Sequence, residues 1–263
     1  MKRIRLGVVP YLNVEPIVHG LNEDPLFEVV RDVPSRVAER LHAGDIDLGM
    51  IPSVEYARGD CDYAIVPGIA IGSRGAVRSV ELLHERPLGE LRRVALDTSS
   101  RTSITLLRIL LRERIGRDPE YVDMPPDPAA MLRAADAALV IGDNALYYDG
   151  AAERLDLGEA WSALTGLPFV FAFWAGRPAC VGPEGLRRLQ ASLRAGRERL
   201  GEIAASYNGH GAGRAAENEA YLRQSIVFDF GAAEQAGLQE FYRRAHALGL
   251  IPRRPELRFH GDS

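Results

Sequence analysis

The sequence predicts an α/β protein with two lobes, a central cleft between them and a helical C-terminal segment. Short apolar runs typical of strands alternate with stretches in which apolar residues recur at helical spacing, and this alternation favours βαβ units. It occurs twice, in residues 4–72 and again in residues 93–143, while the chain beyond residue 183 shows helical spacing alone. We therefore expect two α/β units followed by helices.

The first unit is predicted to contain four extended runs and two helices. Residues 27–33 alternate apolar and polar side chains, as a half-buried strand does. Pro34 and Gly44 bracket the second helix at positions where proline and glycine are common. The expected strands are 4–9, 27–33, 46–52 and 63–72, and the expected helices are 18–21 and 36–43.

The second unit begins at residue 93 and is predicted to alternate strands with helices in the same way. Its expected strands are 93–96, 121–124 and 138–143, and its expected helices are 104–115 and 129–135. A further extended run, 168–174, is expected to return to the first sheet. The C-terminal helices are expected at 185–205, 215–225 and 232–247.

The chain is expected to cross between the lobes twice, near residues 68–92 and 166–180. These crossings assign residues 1–90 and 178–263 to lobe one, and residues 91–177 to lobe two. Ligands of open α/β sheets bind beyond the carboxyl ends of the strands. We therefore expect a small-molecule site in the cleft.

Composition excludes several classes of protein. A chain of 263 residues that is 46% hydrophobic and 26% charged can bury a large core, and is typical of a soluble globular protein. Its net charge of −4 argues against a nucleic-acid partner. No stretch is long enough for a membrane span or a signal peptide, so a cytoplasmic location is expected. The two cysteines, Cys61 and Cys180, suit a reducing compartment.

The sequence gives no sign of a metal or cofactor site, and none is expected. Lys2 is the only lysine. Chemistry that needs a Schiff-base, pyridoxal-phosphate or Walker lysine is therefore excluded unless Lys2 takes that role. No two of the six histidines are three or four residues apart, so a zinc site is not expected. The glycine-rich stretch 68–75 lacks the spacing and the following helix of a dinucleotide-binding loop.

A hydroxyl-rich turn, residues 97–103, lies between a predicted strand and a predicted helix. Free N–H groups at a helix start, the helix dipole and nearby hydroxyls together favour an anion. Serine and threonine are also common N-caps, and capping alone would account for some of them. Five hydroxyls in the six positions 98–103 exceed what one cap needs.

Other polar residues that follow predicted strands are expected to face this turn across the cleft. Lobe one contributes Asn13, Ser53 and Ser73, and lobe two contributes Asp143 and Asn144. Turn formation between two prolines is an equally good explanation for Asn13. Helix capping is somewhat favoured for Asp143 and Asn144.

Several of these stretches, taken together, resemble the chorismate dehydratases of the futalosine route to menaquinone. The resemblance runs in order from the first strand to about residue 176. It is carried by residues 9–16 (VPYLNVEP), 44–56 (GDIDLGMIPSVEY), 73–80 (SRGAVRSV), 97–103 (DTSSRTS), 141–143 (IGD) and 164–171 (LTGLPFVF).

The resemblance implies a type II periplasmic-binding-protein-like fold used for catalysis. It also implies conversion of the dicarboxylate chorismate to 3-[(1-carboxyvinyl)oxy]benzoate and water, by a monomer or homodimer without a membrane partner. One substrate carboxylate is expected on the hydroxyl turn, at Ser99, Ser100, Thr102 and Ser103. Ser53, Ser73 and Asn144 are further candidates for binding the substrate.

The elimination needs a base, and two are considered. Asp143 is one, although a carboxylate beside a dianion would be repelled unless it were protonated. The other is the enolpyruvyl carboxylate of the substrate itself, with Asn13 holding the geometry. Asn13 and Asp143 are thus the predicted catalytic residues.

Two alternatives stay open. The sister dihydroxynaphthoate synthases share the fold but typically open with a Pro-Asn-Asp-type turn and use a histidine in lobe two. Here residues 11–13 are Tyr-Leu-Asn and residues 93–165 contain no histidine. The second alternative is a non-catalytic small-anion binding protein of the same fold.

Overall fold

The computed structural model describes residues 3–59 and 62–261, so that Lys2 and Cys61 lie outside the described residues. Ten strands run along this part of the chain. They are β1 (Ile4–Val8), β2 (Phe27–Arg31), β3 (Leu48–Pro52), β4 (Ala64–Ser73), β5 (Val80–His84), β6 (Arg93–Asp97), β7 (Glu120–Met124), β8 (Ala137–Ile141), β9 (Glu153–Asp156) and β10 (Phe169–Gly176).

Ten α-helices accompany the strands, with short 3-10 turns at Leu12–Val14 and Leu88–Glu90. The helices of the two lobes are α1 (Pro34–Ala43), α2 (Ser53–Arg58), α3 (Thr102–Ile115), α4 (Pro128–Ala134), α5 (Asp143–Leu146) and α6 (Leu157–Thr165). The C-terminal segment forms α7 (Pro183–Glu198), α8 (Leu200–Ser206), α9 (Ala215–Gln224) and α10 (Ala232–Ala247).

The strands form two five-stranded sheets with the same plan. The first has the order β2-β1-β3-β10-β4 and the second the order β7-β6-β8-β5-β9. In each, three parallel strands are followed by one antiparallel strand that arrives from the other lobe. The α/β class and the two lobes are therefore confirmed.

Two strands pair across the expected lobe boundaries. β5 lies within residues 1–90 but pairs with β8 and β9 in the second sheet. β10 lies within residues 91–177 but pairs with β3 and β4, which confirms the predicted return to the first sheet. Each sheet thus contains one strand from the stretch of sequence expected in the other lobe. This inserted strand lies between two neighbours and satisfies backbone groups of both.

Two helix predictions were wrong. Residues 18–21 form turns, with Gly20 in the left-handed region at φ 76°. The expected helix 185–205 is two helices, because the backbone leaves helical geometry at Arg199, where φ is −116° and ψ is 23°. Gly196 lies so close to the Pro16 carbonyl that a Cβ would be 2.0 Å from its oxygen.

The C-terminal helices close the structure behind the cleft. Phe241 of α10 packs edge-on against Trp161 and Phe169, with ring centroids 6.3 Å and 5.1 Å away. The Trp161 indole donates to the Pro168 carbonyl at 3.1 Å, so this aromatic cluster keeps no unpaired indole N–H. Because Trp161 follows the second sheet and Phe169 begins β10, α10 packs against both lobes. No helix within residues 3–59 and 62–261 has the length and apolarity to cross a membrane.

Candidate active site between the lobes

A cleft lies where the carboxyl ends of the two sheets meet. About 600 Å³ of space lies between its walls, part of it open to solvent. Apolar side chains such as Met50, Ile71 and Phe171 make up most of its walls. Its polar lining comes from Tyr11, Asn13 and Ser79 on one wall and from residues 100–103 on the other.

The hydroxyl turn leads from β6 into α3 and presents backbone donors to the cleft. α3 begins at Thr102, and Arg101 before it makes no side-chain capping bond. The alternative that a serine or threonine of this turn serves as the N-cap is therefore not met at α3. The first N–H groups of α3 have no intrahelical partner, and the positive end of the helix dipole lies at these groups.

Asp97 stabilises this turn through two hydrogen bonds from Ser99. Its Oδ1 accepts from the Ser99 amide at 2.8 Å and from the Ser99 hydroxyl at 2.6 Å. Burial raises the pKa of the Asp97 carboxyl, and the bonds from Ser99 and from the Ile141 backbone act in the opposite direction. Because its hydroxyl is committed to Asp97, Ser99 supports the turn and does not line the cleft.

Arg101 is the one charged side chain in the cleft lining within the part of the chain that the structure describes. It lies 2.9 Å from Glu39 and 3.4 Å from Glu55, both in lobe one. Burial alone would raise the pKa of the Glu55 carboxyl. The hydrogen bond with His42 and the positive charges of Arg101 and Arg58 outweigh burial, so this pKa is lowered. Arg101 therefore joins the lobes at one end of the cleft.

Thr102 makes a second contact between the lobes. Its hydroxyl oxygen accepts from the Val54 amide at 3.1 Å and lies 3.4 Å from the Ser53 hydroxyl. Ser53 itself is fully buried and donates to the Val170 carbonyl at 2.8 Å. Ser53 therefore supports Thr102 from behind the cleft wall and does not line the cleft.

Asn13 forms the opposite wall as part of a buried chain of hydrogen bonds. Its Nδ2 donates to the Tyr221 hydroxyl at 3.0 Å, and Tyr221 donates to the Ser79 hydroxyl at 2.8 Å. The Asn13 Oδ1 is buried and has no partner. A buried amide oxygen without a partner is costly, so this atom is a candidate for contact with a ligand.

Tyr11 closes the cleft over the second lobe. Its ring lies on Gly142, where a Cβ would come within 2.8 Å of it, and Gly142 has a φ of 62° that favours glycine. Burial raises the pKa of Tyr11 to about 12, against a hydrogen bond with Ser99 that lowers it. The phenol therefore keeps its proton at neutral pH and can act as a donor.

Besides Ser53 and Ser99, three more predicted site residues lie outside the cleft lining. Ser73 is fully buried and packs against Gly158, where a Cβ would be 2.5 Å from its hydroxyl. The Asp143 carboxylate accepts from the Tyr207 hydroxyl at 2.6 Å, and the Asn144 amide donates to the Pro126 carbonyl at 3.1 Å. The structure brings Asn13, Ser100, Thr102 and Ser103 together in the lining.

The chain is similar to known proteins over most of its length. A family model described as menaquinone biosynthesis matches residues 4–247. The chain belongs to this menaquinone-biosynthesis family. It is 34% identical to a protein of Thermus thermophilus named chorismate dehydratase, over 77% of this chain and 80% of that protein.

Solved structures similar to this member of the menaquinone-biosynthesis family include a periplasmic binding protein. A protein of Archaeoglobus fulgidus has a TM-score of 0.79 at 21% identity, over 95% of this chain and 98% of that chain. The periplasmic aliphatic sulphonate binding protein of Escherichia coli has a TM-score of 0.69 at 18% identity, over 97% and 95%. The predicted periplasmic-binding-protein-like fold is confirmed.

The expectation that lobe two contains no histidine, which favours a dehydratase over a dihydroxynaphthoate synthase, needs correction. β5 belongs to the second sheet and carries His84, so lobe two does contain a histidine. The His84 Nδ1 lies 2.9 Å from the Arg86 carbonyl, at the end of β5 that is remote from Ser79. No histidine lines the cleft in the described ranges.

Four residues of this family member's site were not identified from its sequence. Tyr11 and Arg101 lie within stretches that were singled out, and only their neighbours were assigned. Ser79 directly precedes an unrecognised strand. Tyr221 comes from α9, and nothing local signals its contact with Asn13, 208 residues earlier. Within the described residues, no three His, Cys, Asp or Glu side chains are placed to hold a metal ion.

Proposed function

We propose that this chain dehydrates chorismate to 3-[(1-carboxyvinyl)oxy]benzoate and water in the interlobe cleft. Membership of the menaquinone-biosynthesis family and the relative named chorismate dehydratase support this activity. The observation that carries the mechanism is the pair of polar cleft walls. One wall has free backbone donors at the start of α3, and the other has the buried Asn13 amide. The futalosine route, the cytoplasmic location and a monomer or homodimer stay predictions.

The wall at residues 100–103 is suited to one substrate carboxylate. A helix start stabilises an exposed anion by about 0.3–1 kcal/mol, and by about 2 kcal/mol when the site is partly buried. Micromolar affinity needs roughly 8 kcal/mol, so a second anchor is required. Tyr11 has the hydroxyl placed to supply it, since Ser53 and Ser73 lie outside the lining.

The cleft offers no carboxylate as a base among its described lining residues. We assign proton removal to the enolpyruvyl carboxylate of the substrate, which is joined through the ether oxygen to the carbon that loses its proton. The C–H electrons form a ring double bond, and the neighbouring C–O bond breaks. The hydroxide takes the proton from the carboxyl group and leaves as water, so atoms and charge balance.

In this mechanism the protein mainly orients the substrate. Orientation can contribute several orders of magnitude when the reacting groups are held in line. The aromatic product supplies the thermodynamic drive. Asn13 holds the ring so that its C–H bond faces the enolpyruvyl carboxylate. Asp143 keeps its contact with Tyr207 and takes no part in proton transfer.

Turnover of chorismate by the purified protein tests this function. Chromatography with mass detection should show the loss of one water and a new benzoate absorbance, and Asn13→Ala should lose most of this activity. Chorismate that binds in calorimetry but stays unchanged would instead support a small-anion binding protein. Chorismate that neither binds nor reacts would contradict both functions.

A further inference from the structure

Tyr221 of α9 connects two side chains of the cleft without lining the cleft itself. It is 1% exposed, and its hydroxyl lies 3.0 Å from the Asn13 Nδ2 and 2.8 Å from the Ser79 Oγ. Asn13 comes from lobe one, and Ser79 lies on the crossing that leads into β5. One residue of the C-terminal segment thus contacts two of the three polar side chains of this wall.

The single proton of a phenol gives this chain of hydrogen bonds a direction. The Asn13 Nδ2 donates to the Tyr221 oxygen, so the one phenol proton is directed to the Ser79 hydroxyl. The Asn13 Oδ1 is then left without a partner at the cleft wall. Ser79 accepts from Tyr221 and keeps its own proton available for another acceptor.

Tyr221 stays protonated under all ordinary conditions. Burial raises the pKa of its phenol above the usual range, and the bonds with Ser79 and Asn13 only partly offset this. Side-chain packing alone would be served equally well by phenylalanine. A buried phenol hydroxyl requires partners, and both partners here are polar groups that line the cleft.

We propose that Tyr221 is a positioning residue that sets the hydrogen-bonding polarity of the active site. It presents the Asn13 amide oxygen as an acceptor for the ring hydroxyl of the substrate, and the Ser79 hydroxyl as a donor to the departing oxygen. Without the phenol, the Asn13 amide is free to rotate and present its NH2 group instead. This inference rests on the proposed dehydration and names what orients its catalytic amide.

The test is Tyr221→Phe, which removes one oxygen and keeps the ring. We expect kcat for chorismate to fall about 10- to 100-fold while KM changes less than about 3-fold. In an Asn13→Ala background the same substitution should lower kcat by a smaller factor than in the wild-type protein, because the part of its effect that acts through Asn13 is already lost and only the part through Ser79 remains.

Tyr56→Phe is the matched control. Tyr56 is also buried, and its hydroxyl bonds the backbone of Tyr63, Glu256 and Arg258, none of which lines the cleft. Its kcat should stay within about 2-fold of wild type. If Tyr221→Phe does not fold, a fluorinated tyrosine at position 221 keeps both bonds with altered donor strength. It should change kcat by about 3-fold.

The outcomes separate this inference from the proposed function. A wild-type protein that leaves chorismate unchanged overturns both. A wild-type protein that forms product while Tyr221→Phe retains full kcat overturns the role of Tyr221 alone. Losses that multiply in the double variant would also overturn it, since Tyr221 would then act independently of Asn13.

Discussion

The two polar walls of the cleft differ in how their hydrogen-bonding groups are satisfied. At residues 100–103 the free groups are backbone donors at a helix start, held in place by Asp97 below the turn. At Asn13 the polar atoms belong to side chains and are held by Tyr221, with one acceptor left over. The first wall is thus suited to an anion, and the second to a hydroxyl.

This difference indicates a division of tasks. Backbone donors cannot be removed by a side-chain substitution, so the anion wall should lose affinity gradually when single hydroxyls are deleted. The amide wall depends on one side chain in one orientation, so its loss should be abrupt and should appear in turnover. Four predictions follow this contrast, from the largest expected effect to the smallest.

Asn13→Ala should lower kcat about 100- to 1000-fold with a smaller change in KM, because it removes a group that acts at the reacting ring. Steady-state turnover of chorismate measures this effect. Asn144→Ala is the matched control, since that amide bonds the Pro126 carbonyl outside the cleft lining, and it should stay within about 2-fold of wild type. Equal kcat values for Asn13→Ala and Asn144→Ala would contradict the role of Asn13 in turnover.

Ser100→Ala and Ser103→Ala should each raise KM about 10-fold with little change in kcat, because each deletes a hydroxyl beside a carboxylate that is bound before and during the reaction. Calorimetric affinity for the product should fall in parallel. Ser73→Ala, whose hydroxyl is buried without a partner away from the cleft lining, should leave KM unchanged. A fall in kcat at constant KM would place these serines at the reacting ring instead.

Arg101→Gln should lower the free energy of unfolding by about 1–2 kcal/mol near neutral pH, because it removes a charge facing buried Glu55. The pKa of Glu55 is lowered in the folded protein, so its stabilisation is present above the unfolded pKa and is lost as pH falls through the folded pKa.

The difference between Arg101→Gln and wild type should therefore shrink on acidification, which urea unfolding at about pH 7 and about pH 4 would measure. Arg36→Gln, which loses only an exposed pair with Glu39, should differ little from wild type at either pH. A difference for Arg101→Gln that stays constant with pH would exclude the Glu55 explanation.

Asp143→Asn should have the smallest effect, with kcat within about 3-fold of wild type, because its carboxylate bonds Tyr207 and lies outside the cleft lining. The pH dependence of kcat should also be unchanged. A loss of about 1000-fold would instead identify Asp143 as the base and contradict a substrate carboxylate in that role.

The sequence was most informative where a feature is local. The turn at 97–103 was recognised because its strand, hydroxyls and helix are adjacent in the chain. β5 was missed since Glu81 and His84 interrupt its apolar run, and both are buried inside the second sheet. Tyr221 could not be found because α9 carries no local sign that one phenol contacts a side chain 208 positions away.

A crystal structure with 3-[(1-carboxyvinyl)oxy]benzoate bound would test the division of the two walls most directly. We predict one carboxylate within hydrogen-bonding distance of the amides at the start of α3, and the ring beside Asn13 with Ser79 facing the site of the lost hydroxyl. A carboxylate beside Asp143, or a product bound in the polar groove between Glu15 and Tyr207, would contradict this assignment.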